Sequence, residues 1–224
     1  MFNTGKELLE KCKELNLPIS EIVILDELEN TDTTRENIIK NIETILKVMM
    51  NSIESYKTEN SVTMGNIIGG EAKKLNSYIE NNKTICGKSI NKAMIRALAC
   101  SQYNASMGRI CAAPTAGSSG IIPASLITVK EDQNLSGDLL IKGLINSAGI
   151  GKIITQNATV AGAEGGCQAE CGSAAAMAAS AIVEMMGGTP EMSLTAASIS
   201  LFISTAKALL GPVVSPLKIH FSPI

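Results

Sequence analysis

The chain is predicted to be all-α or mainly α on three observations. Apolar residues recur every three to four positions in the first 60 residues, most clearly between Ile38 and Ile53, and this period matches one face of a helix. Alanine, which favours helices and allows their close approach, is frequent beyond Met107. No stretch alternates apolar and polar residues long enough to predict strands.

The first helix is predicted to begin after Thr4, because Thr4 and Glu7 form a capping box. Its apolar face consists of Leu8, Leu9, Cys12 and Leu15. Pro18 lies just beyond the expected end of this helix.

A second helical segment is predicted from Ser20 and a third, strongly amphipathic one, from near Thr34. A polar loop follows over residues 57–70, and shorter helices are expected over residues 71–81 and 89–102. This alternation of helices and loops indicates a bundle of packed helices.

The later segments 136–147 and 173–186 are predicted as tightly packed helices. Two glycines at 187 and 188 end the second of them, and Thr189 caps a last helix with Pro190 at its first position. We expect one domain overall, with an amphipathic helical part over residues 1–60, a small-residue-rich catalytic core over 61–210 and an aberrant tail over 211–224.

Composition excludes several classes of protein. A net charge of -2 with three phenylalanines, three tyrosines and no tryptophan gives no surface suited to nucleic acid. No apolar run reaches the roughly 18 residues of a membrane span, and no signal peptide begins the chain, so a cytoplasmic location is expected. The six cysteines are scattered, which argues against a disulfide scaffold.

Common catalytic arrangements are absent from the sequence. The only histidine is His220, near the end of the chain, so histidine-based catalysis is disfavoured. Zinc binding is not expected either, because the sequence has no CxxC pair and no other histidine. Gly149-Ile150-Gly151 lacks the third glycine of a dinucleotide-binding motif. The glycine-rich segments contain no lysine for pyridoxal phosphate.

Two predicted loops rich in small residues contain the candidate site. In residues 113–120, backbone N–H groups with the Thr115 and Ser118 hydroxyls could bind a carboxylate, although a tight helix–helix turn would give the same sequence. Cys167 and Cys171 could bind a metal, or be two core cysteines one helical turn apart. Cys100 and Cys111 fit a core role better.

Glu164 and Glu170 are candidate catalytic residues because few charged residues surround them in sequence. Burial would raise the pKa of either carboxyl and suit it to proton transfer. A structural glutamate paired with a lysine is the alternative.

Three stretches give a specific resemblance: GGEAKKL at 69–75, NASMGRICAAPTAGSSGIIPASL at 104–126 and INSAGIGKIITQNATVAGAEGGCQAECGSAAAMAASAIVEMMGGTPE at 145–191. Together they resemble the alpha subunit of iron–sulfur-dependent L-serine dehydratases, from the N-terminus to about residue 199. The resemblance implies a helical catalytic domain that works with a beta subunit and converts L-serine to pyruvate and ammonia, in amino-acid degradation and gluconeogenesis.

The same resemblance implies a [4Fe–4S] cluster that acts as a Lewis acid, with Cys167 matching the first cluster ligand. The motifs also suggest a set of substrate-binding residues: Asn104, Ser106, Thr115, Gly117 and Ser118.

The sequence departs from the family pattern after Cys171, where no further cysteine occurs. The family has its second and third cluster ligands in this region, so the tail resembles a truncation, and Cys171 is a possible substitute ligand. The alternatives to an active dehydratase are an inactive truncated alpha-chain fragment and a non-catalytic, partner-binding helical protein.

Overall fold

A computed structural model describes residues 1–58, 63, 65 and 67–209, with side chains up to residue 204. The described residues form nine α-helices: α1 (Gly5–Leu15), α2 (Ile19–Asn30), α3 (Arg35–Glu54), α4 (Glu71–Asn81), α5 (Gly87–Ala105), α6 (Ile121–Asp132), α7 (Gly137–Asn157), α8 (Gly162–Met185) and α9 (Pro190–Leu209). A short 3₁₀ helix, Ser55–Lys57, follows α3. These residues contain no strand, which confirms the predicted all-α class. The predicted tail 211–224, with His220, lies outside the described residues.

Side-chain caps begin four of the helices. The hydroxyls of Thr4, Thr34, Ser136 and Thr189 each accept a hydrogen bond, 3.2–3.3 Å long, from the backbone N–H three residues later. Each cap satisfies one backbone donor that the first helical turn leaves unpaired. The predicted starts of α1, α3, α7 and α9 are therefore confirmed.

The predicted apolar face of α1 is shorter than expected. Leu8 and Cys12 are buried, but Leu15 is 50% exposed. The helix ends immediately after Leu15, where Asn16 adopts the left-handed conformation and caps it. The face that contacts the core therefore ends at Cys12.

Helix α8 packs against three other helices, α6, α7 and α9. Glycines on α7 allow α7 and α8 to pack closely against each other. A Cβ added at Gly143 would lie 2.6 Å from Met185 Sδ, and one added at Gly151 would lie 2.7 Å from Met177 Cε. One hydrophobic cluster includes residues of α1–α3 together with residues of α6–α9. The division into residues 1–60 and 61–210 stays a prediction.

Four helices differ from the sequence prediction. Helix α6 was not predicted, and α8 begins at Gly162, inside the segment that was expected to be a loop. At Gly166 the backbone leaves the helical conformation, with φ 76° and ψ 171°, and α8 bends there. Only glycine adopts this conformation without strain. Helices α5 and α7 also extend beyond their predicted ends.

Two buried polar contacts fix the helices relative to one another. Arg96 on α5, 4% exposed, binds Glu54 at 2.9 Å and Glu131 at 2.8 Å. Near the C-terminal end of α8, Glu184 accepts hydrogen bonds from the Ser20 backbone N–H at 3.3 Å and from Asn146 Nδ2 at 2.7 Å.

Among the described helices, none has both the length and the apolar content needed to cross a membrane.

Candidate active site

The loop between α5 and α6 is held by its own backbone and hydroxyl groups. The Ala113–Pro114 peptide bond is cis, and the Ala113 N–H donates to the Thr115 carbonyl at 3.2 Å. The buried Ser118 hydroxyl accepts from the Thr115 N–H at 3.4 Å and lies 3.2 Å from the Ala113 carbonyl, to which it donates. These bonds make the segment a tight turn between two helices, and carboxylate binding by it stays a prediction.

A hydrogen bond connects this loop to α8. The Thr115 hydroxyl donates to Glu170 Oε2 at 2.7 Å, across 55 residues of sequence. Two glycines make room for the carboxylate. A Cβ added at Gly117 would lie 2.4 Å from Glu170 Oε1, and one added at Gly162 would lie 3.2 Å from Oε2. The structure therefore brings Thr115, Gly117, Ser118 and Glu170 together.

Cys167 and Cys171 lie beside Glu170 on α8, directly after the bend at Gly166. Their Sγ atoms are 3.6 Å apart, and a ligand atom of each of the three residues lies within 4.8 Å of the other two. Burial, followed by the hydrogen bond with Cys167, raises the pKa of the Cys171 thiol to about 11. Two sulfurs and one carboxylate oxygen form a donor set that could hold a metal ion.

Cys167 was predicted to lie in a glycine-flanked loop, and this was wrong: it lies in the first turn of α8 after the bend. The residue is nevertheless exposed. Position in a helix fixes the backbone separation of Cys167 and Cys171 at one turn, which a loop would not.

The described residues do not fit a cluster held by three cysteines. Cys12 is buried on α1, and Cys100 is buried on α5, where its Sγ lies 3.5 Å from Ser119 Oγ. Cys86 is exposed at the start of α5, and half-buried Cys111 lies beside an apolar cavity. None of the four belongs to the donor group of α8. The core role expected for Cys100 is confirmed.

The two candidate glutamates have different environments. Glu164 is exposed and accepts a hydrogen bond from the Thr159 hydroxyl at 2.6 Å, so it lacks the burial that would suit it to proton transfer. It lies in the first turn of α8, before the bend. Glu170 is half-buried and contacts the loop residue Thr115. The geometry therefore favours Glu170 for chemistry at the site.

Asn104 and Ser106 lie at the C-terminal end of α5, before the loop. The Ser106 hydroxyl donates to the Gln102 carbonyl at 2.9 Å. The Gln102 side chain in turn hydrogen-bonds Glu71, whose carboxylate accepts from the Gly69 N–H at 2.8 Å. The segment 69–75 is thereby connected to the end of α5, a contact that the sequence did not predict.

An apolar cavity of about 330 Å³ lies behind the loop. Residues 111–114 form one wall, and α3 and α7 supply Ile42, Met49 and Leu144. Burial raises the pKa of the Cys111 thiol above its usual value. The loop therefore has an apolar side toward the cavity and a polar side toward Glu170.

Several known proteins similar to this chain are named as L-serine dehydratases or their alpha chains. The sequence model of the serine dehydratase alpha chain family matches residues 14–205. The chain is 46% identical over 217 residues to the L-serine dehydratase alpha chain of Peptoniphilus asaccharolyticus, which covers 97% of this chain and 73% of that protein. It is 42% identical over 216 residues to the probable L-serine dehydratase alpha chain of Bacillus subtilis. That alignment covers 96% of this chain and 70% of the Bacillus protein. The L-serine dehydratase of Streptomyces coelicolor is 32% identical over 208 residues, 89% of this chain and 44% of that protein.

Proposed function

Because the chain belongs to the serine dehydratase alpha chain family, we propose that it acts as the alpha chain of an L-serine dehydratase, a lyase that converts L-serine to pyruvate and ammonia. The observation that supports the proposal best is the hydrogen bond between Thr115 and Glu170. It joins the two sequence segments in which the resemblance is concentrated, and it places a carboxylate beside a loop of hydrogen-bond donors.

The reaction requires two groups to leave serine. The α-carbon loses a proton to a base, and the β-carbon loses its hydroxyl, so that water is released and an aminoacrylate forms. Its tautomer, an imine, takes up one water molecule and releases ammonia to give pyruvate. The site must therefore hold the substrate carboxylate, accept a proton and assist a poor leaving group.

We assign substrate binding to the α5–α6 loop and to the end of α5. The backbone N–H groups around Gly117 offer donors to the serine carboxylate. The Thr115 and Ser118 hydroxyls, which donate to Glu170 and to the Ala113 carbonyl, hold the loop in the shape that presents those donors. Asn104 and Ser106, at the end of α5, are proposed to bind the substrate as well. Their position directly before the loop supports this assignment.

We assign the acid–base role to Glu170 rather than to Glu164. Glu170 is half-buried, hydrogen-bonded to Thr115 and next to Gly117, so a serine bound at the loop would contact it. Glu164 is exposed and bonded to Thr159. General bases must lie within hydrogen-bonding reach of the proton they remove.

The predicted [4Fe–4S] cluster stays a prediction from the resemblance. Cys167 matches one family ligand, but the described residues do not offer a third cysteine beside Cys167 and Cys171. We therefore derive no step through a cluster. The beta chain partner and a cytoplasmic location are proposed on the same resemblance.

Turnover by the complete assembly tests the proposal. The chain would be produced anaerobically with a beta chain, and pyruvate would be measured with L-serine and, as a negative control, D-serine. The alpha chain of Peptoniphilus asaccharolyticus serves as the positive control. Pyruvate formation from L-serine supports the dehydratase, whereas its absence while the control is active supports the inactive or partner-binding alternative.

A matched pair of variants tests the site. Thr115→Val removes the hydroxyl that binds Glu170, and Thr195→Val removes an exposed hydroxyl on α9 that donates to a carbonyl of its own helix. We expect kcat/KM to fall roughly tenfold or more in the first variant, since a hydrogen bond to a charged group contributes about 1.5–3 kcal/mol. Equal activity of both variants would contradict the assignment.

A further inference from the structure

We infer that the apolar cavity between α3, α7 and the α5–α6 loop binds a small, neutral apolar molecule, and that this ligand acts on the loop from the side away from Glu170. The cavity has a volume of about 330 Å³. The binding site goes beyond the proposed reaction, and its effect on the site rests on the substrate-binding role proposed for the loop.

The N-terminal turns of α3 are only partly packed. Its apolar side chains Ile38, Ile42 and Ile45 are half-buried, and the buried part of the helix begins at Met49. The apolar face of an amphipathic helix is normally packed against the core without voids. This part of α3 therefore leaves apolar space beneath it.

Ala148 on α7 shows where that space lies. It is exposed, whereas residues 143–147 and 149–151 on either side of it are buried. Ala148 lines the cavity of about 330 Å³ and also a second cavity of about 190 Å³, as does Ile42 of α3. The two cavities are therefore adjacent, and Ala148 forms part of the floor of both.

The lining of the larger cavity selects a neutral ligand. Among the described residues that form it, none carries a charge. The Ser147 and Thr155 hydroxyls donate to carbonyls of their own helix at 2.7 Å and 2.9 Å. A polar ligand atom would therefore lose its hydrogen bonds to water without replacement, and an ion would lose more. The smaller cavity adds Glu27, which would repel a carboxylate.

The size of the cavity suits a ligand of one or two rings. Pockets that bind small molecules have volumes of about 300–1,000 Å³, and this cavity lies at the lower end of that range. An engineered apolar cavity of about 150 Å³ in another protein binds benzene. Burial of apolar surface then supplies the affinity, at about 25 cal/mol per Å².

The wall of the cavity belongs to the loop that is proposed to bind substrate. Ala112, Ala113 and Pro114 line the cavity. The Ala113 N–H donates to the Thr115 carbonyl, and the Ala113 carbonyl accepts from the Ser118 hydroxyl, each at 3.2 Å. A ligand in the cavity thus contacts the residue whose hydrogen bonds shape the loop. A ligand that fits one loop arrangement better than another shifts the loop toward it.

Methionine side chains report binding without turnover. Met49 and Met177 line the cavity, and Met192 on α9, 57% exposed, is the internal control. The full chain with ¹³C-labelled methionine methyl groups would be titrated with toluene and, separately, with benzoate, which has the same ring and a negative charge. We expect saturable shifts of the Met49 and Met177 signals with toluene alone. Equal shifts at Met192, equal shifts with benzoate, or no shifts with toluene would overturn the inference.

Variants that fill the cavity identify the site. Ala148→Leu adds a larger side chain at the floor and should weaken toluene binding tenfold or more, and Ile45→Phe should do the same from α3. Gln156→Leu is the control, since Gln156 is exposed on the same helix and lies outside the residues that line either cavity. Circular dichroism would verify the helical fold of each variant. Unchanged affinity in the folded cavity variants would place the ligand elsewhere.

Backbone amide signals test the effect on the loop. Toluene should shift the N–H signals of Thr115 and Gly117 and leave that of Gly137, at the start of α7, unchanged. Methionine shifts without a change at Thr115 and Gly117 would refute the coupling. Because none of these readouts involves serine, failure of the cavity site and failure of the dehydratase proposal remain distinguishable.

Discussion

Replacing Gly117 by alanine should impair catalysis with little effect on folding. The added Cβ would lie 2.4 Å from Glu170 Oε1 and 3.0 Å from Glu170 Cδ, whereas ordinary contacts begin near 3.4 Å. The obstructing atoms belong to the far end of a flexible side chain, so the carboxylate can move away. Gly117 does not have a left-handed φ, so its backbone accepts a Cβ.

The size of the effect follows from the displacement that the clash requires. The difference between 2.4 Å and 3.4 Å means that Oε1 must move by about 1 Å. A misplacement of that size can reduce catalysis by roughly 100-fold, which corresponds to about 2.7 kcal/mol of transition-state stabilisation. The free energy of unfolding should change by less than about 1 kcal/mol, as for substitutions without a core defect.

The assay compares kcat/KM for L-serine and the thermal midpoint of Gly117→Ala with those of Gly137→Ala. Gly137 is the matched control, since a Cβ there meets no atom within 4 Å. We expect the control to keep parent activity. Gly117→Ala within threefold of the parent would refute the placement of Glu170 at the site. A large loss of stability would show that the clash is not absorbed by that side chain.

Two further predictions concern stability. Burial, followed by the charges of Glu184 and Glu191, raises the pKa of the Cys12 thiol from 9.0 to about 11. Between these pH values the unfolded chain loses the proton and the folded chain keeps it, so the free energy of unfolding should fall by up to about 3 kcal/mol from pH 9 to 11, measured by urea unfolding, and should not depend on this group below pH 9. Arg96→Met should lower the free energy of unfolding by about 2 kcal/mol, because it removes the buried guanidinium that binds Glu54 and Glu131, while each glutamate keeps a lysine partner.

Each of these two stability predictions has a control variant within the chain. The alkaline loss of stability should disappear in Cys12→Ala and persist in Cys86→Ala, and a persistent loss in the first would attribute it to other groups. Arg35→Met removes an ion pair with Glu21 whose arginine is 45% exposed, and should cost under about 1 kcal/mol. If Arg35→Met and Arg96→Met lower the free energy of unfolding equally, burial is not what strengthens the Arg96 contacts.

Helix starts were predictable where the signal is local. Thr4, Thr34 and Thr189 cap their helices through the backbone three residues ahead, a contact within one turn. Helix α6 has no such signal, because Gly120 precedes it without a side-chain cap. Burial of Ile122 and Leu126 in the core holds α6 in place, and that depends on distant residues.

The candidate site was predictable in its residue types but not in its contacts. Small residues around Thr115 and Cys167 indicated two functional segments, yet the bond from Thr115 to Glu170 crosses 55 residues. The glycines before Cys167 suggested a loop because each costs a helix about 1 kcal/mol. In the structure α8 includes them, and its bend is confined to Gly166.

The bend in α8 also determines which residues move together. Glu170 and Glu184 both follow Gly166, on one uninterrupted helical segment, 14 residues or about 21 Å apart. Helical hydrogen bonds resist stretching, so an axial shift at one glutamate reaches the other undiminished. Glu184 holds its end of the segment against Ser20 of α2 and Asn146 of α7. Any displacement of the Cys167, Glu170 and Cys171 group along the helix must therefore break those bonds or carry α2 and α7 with it.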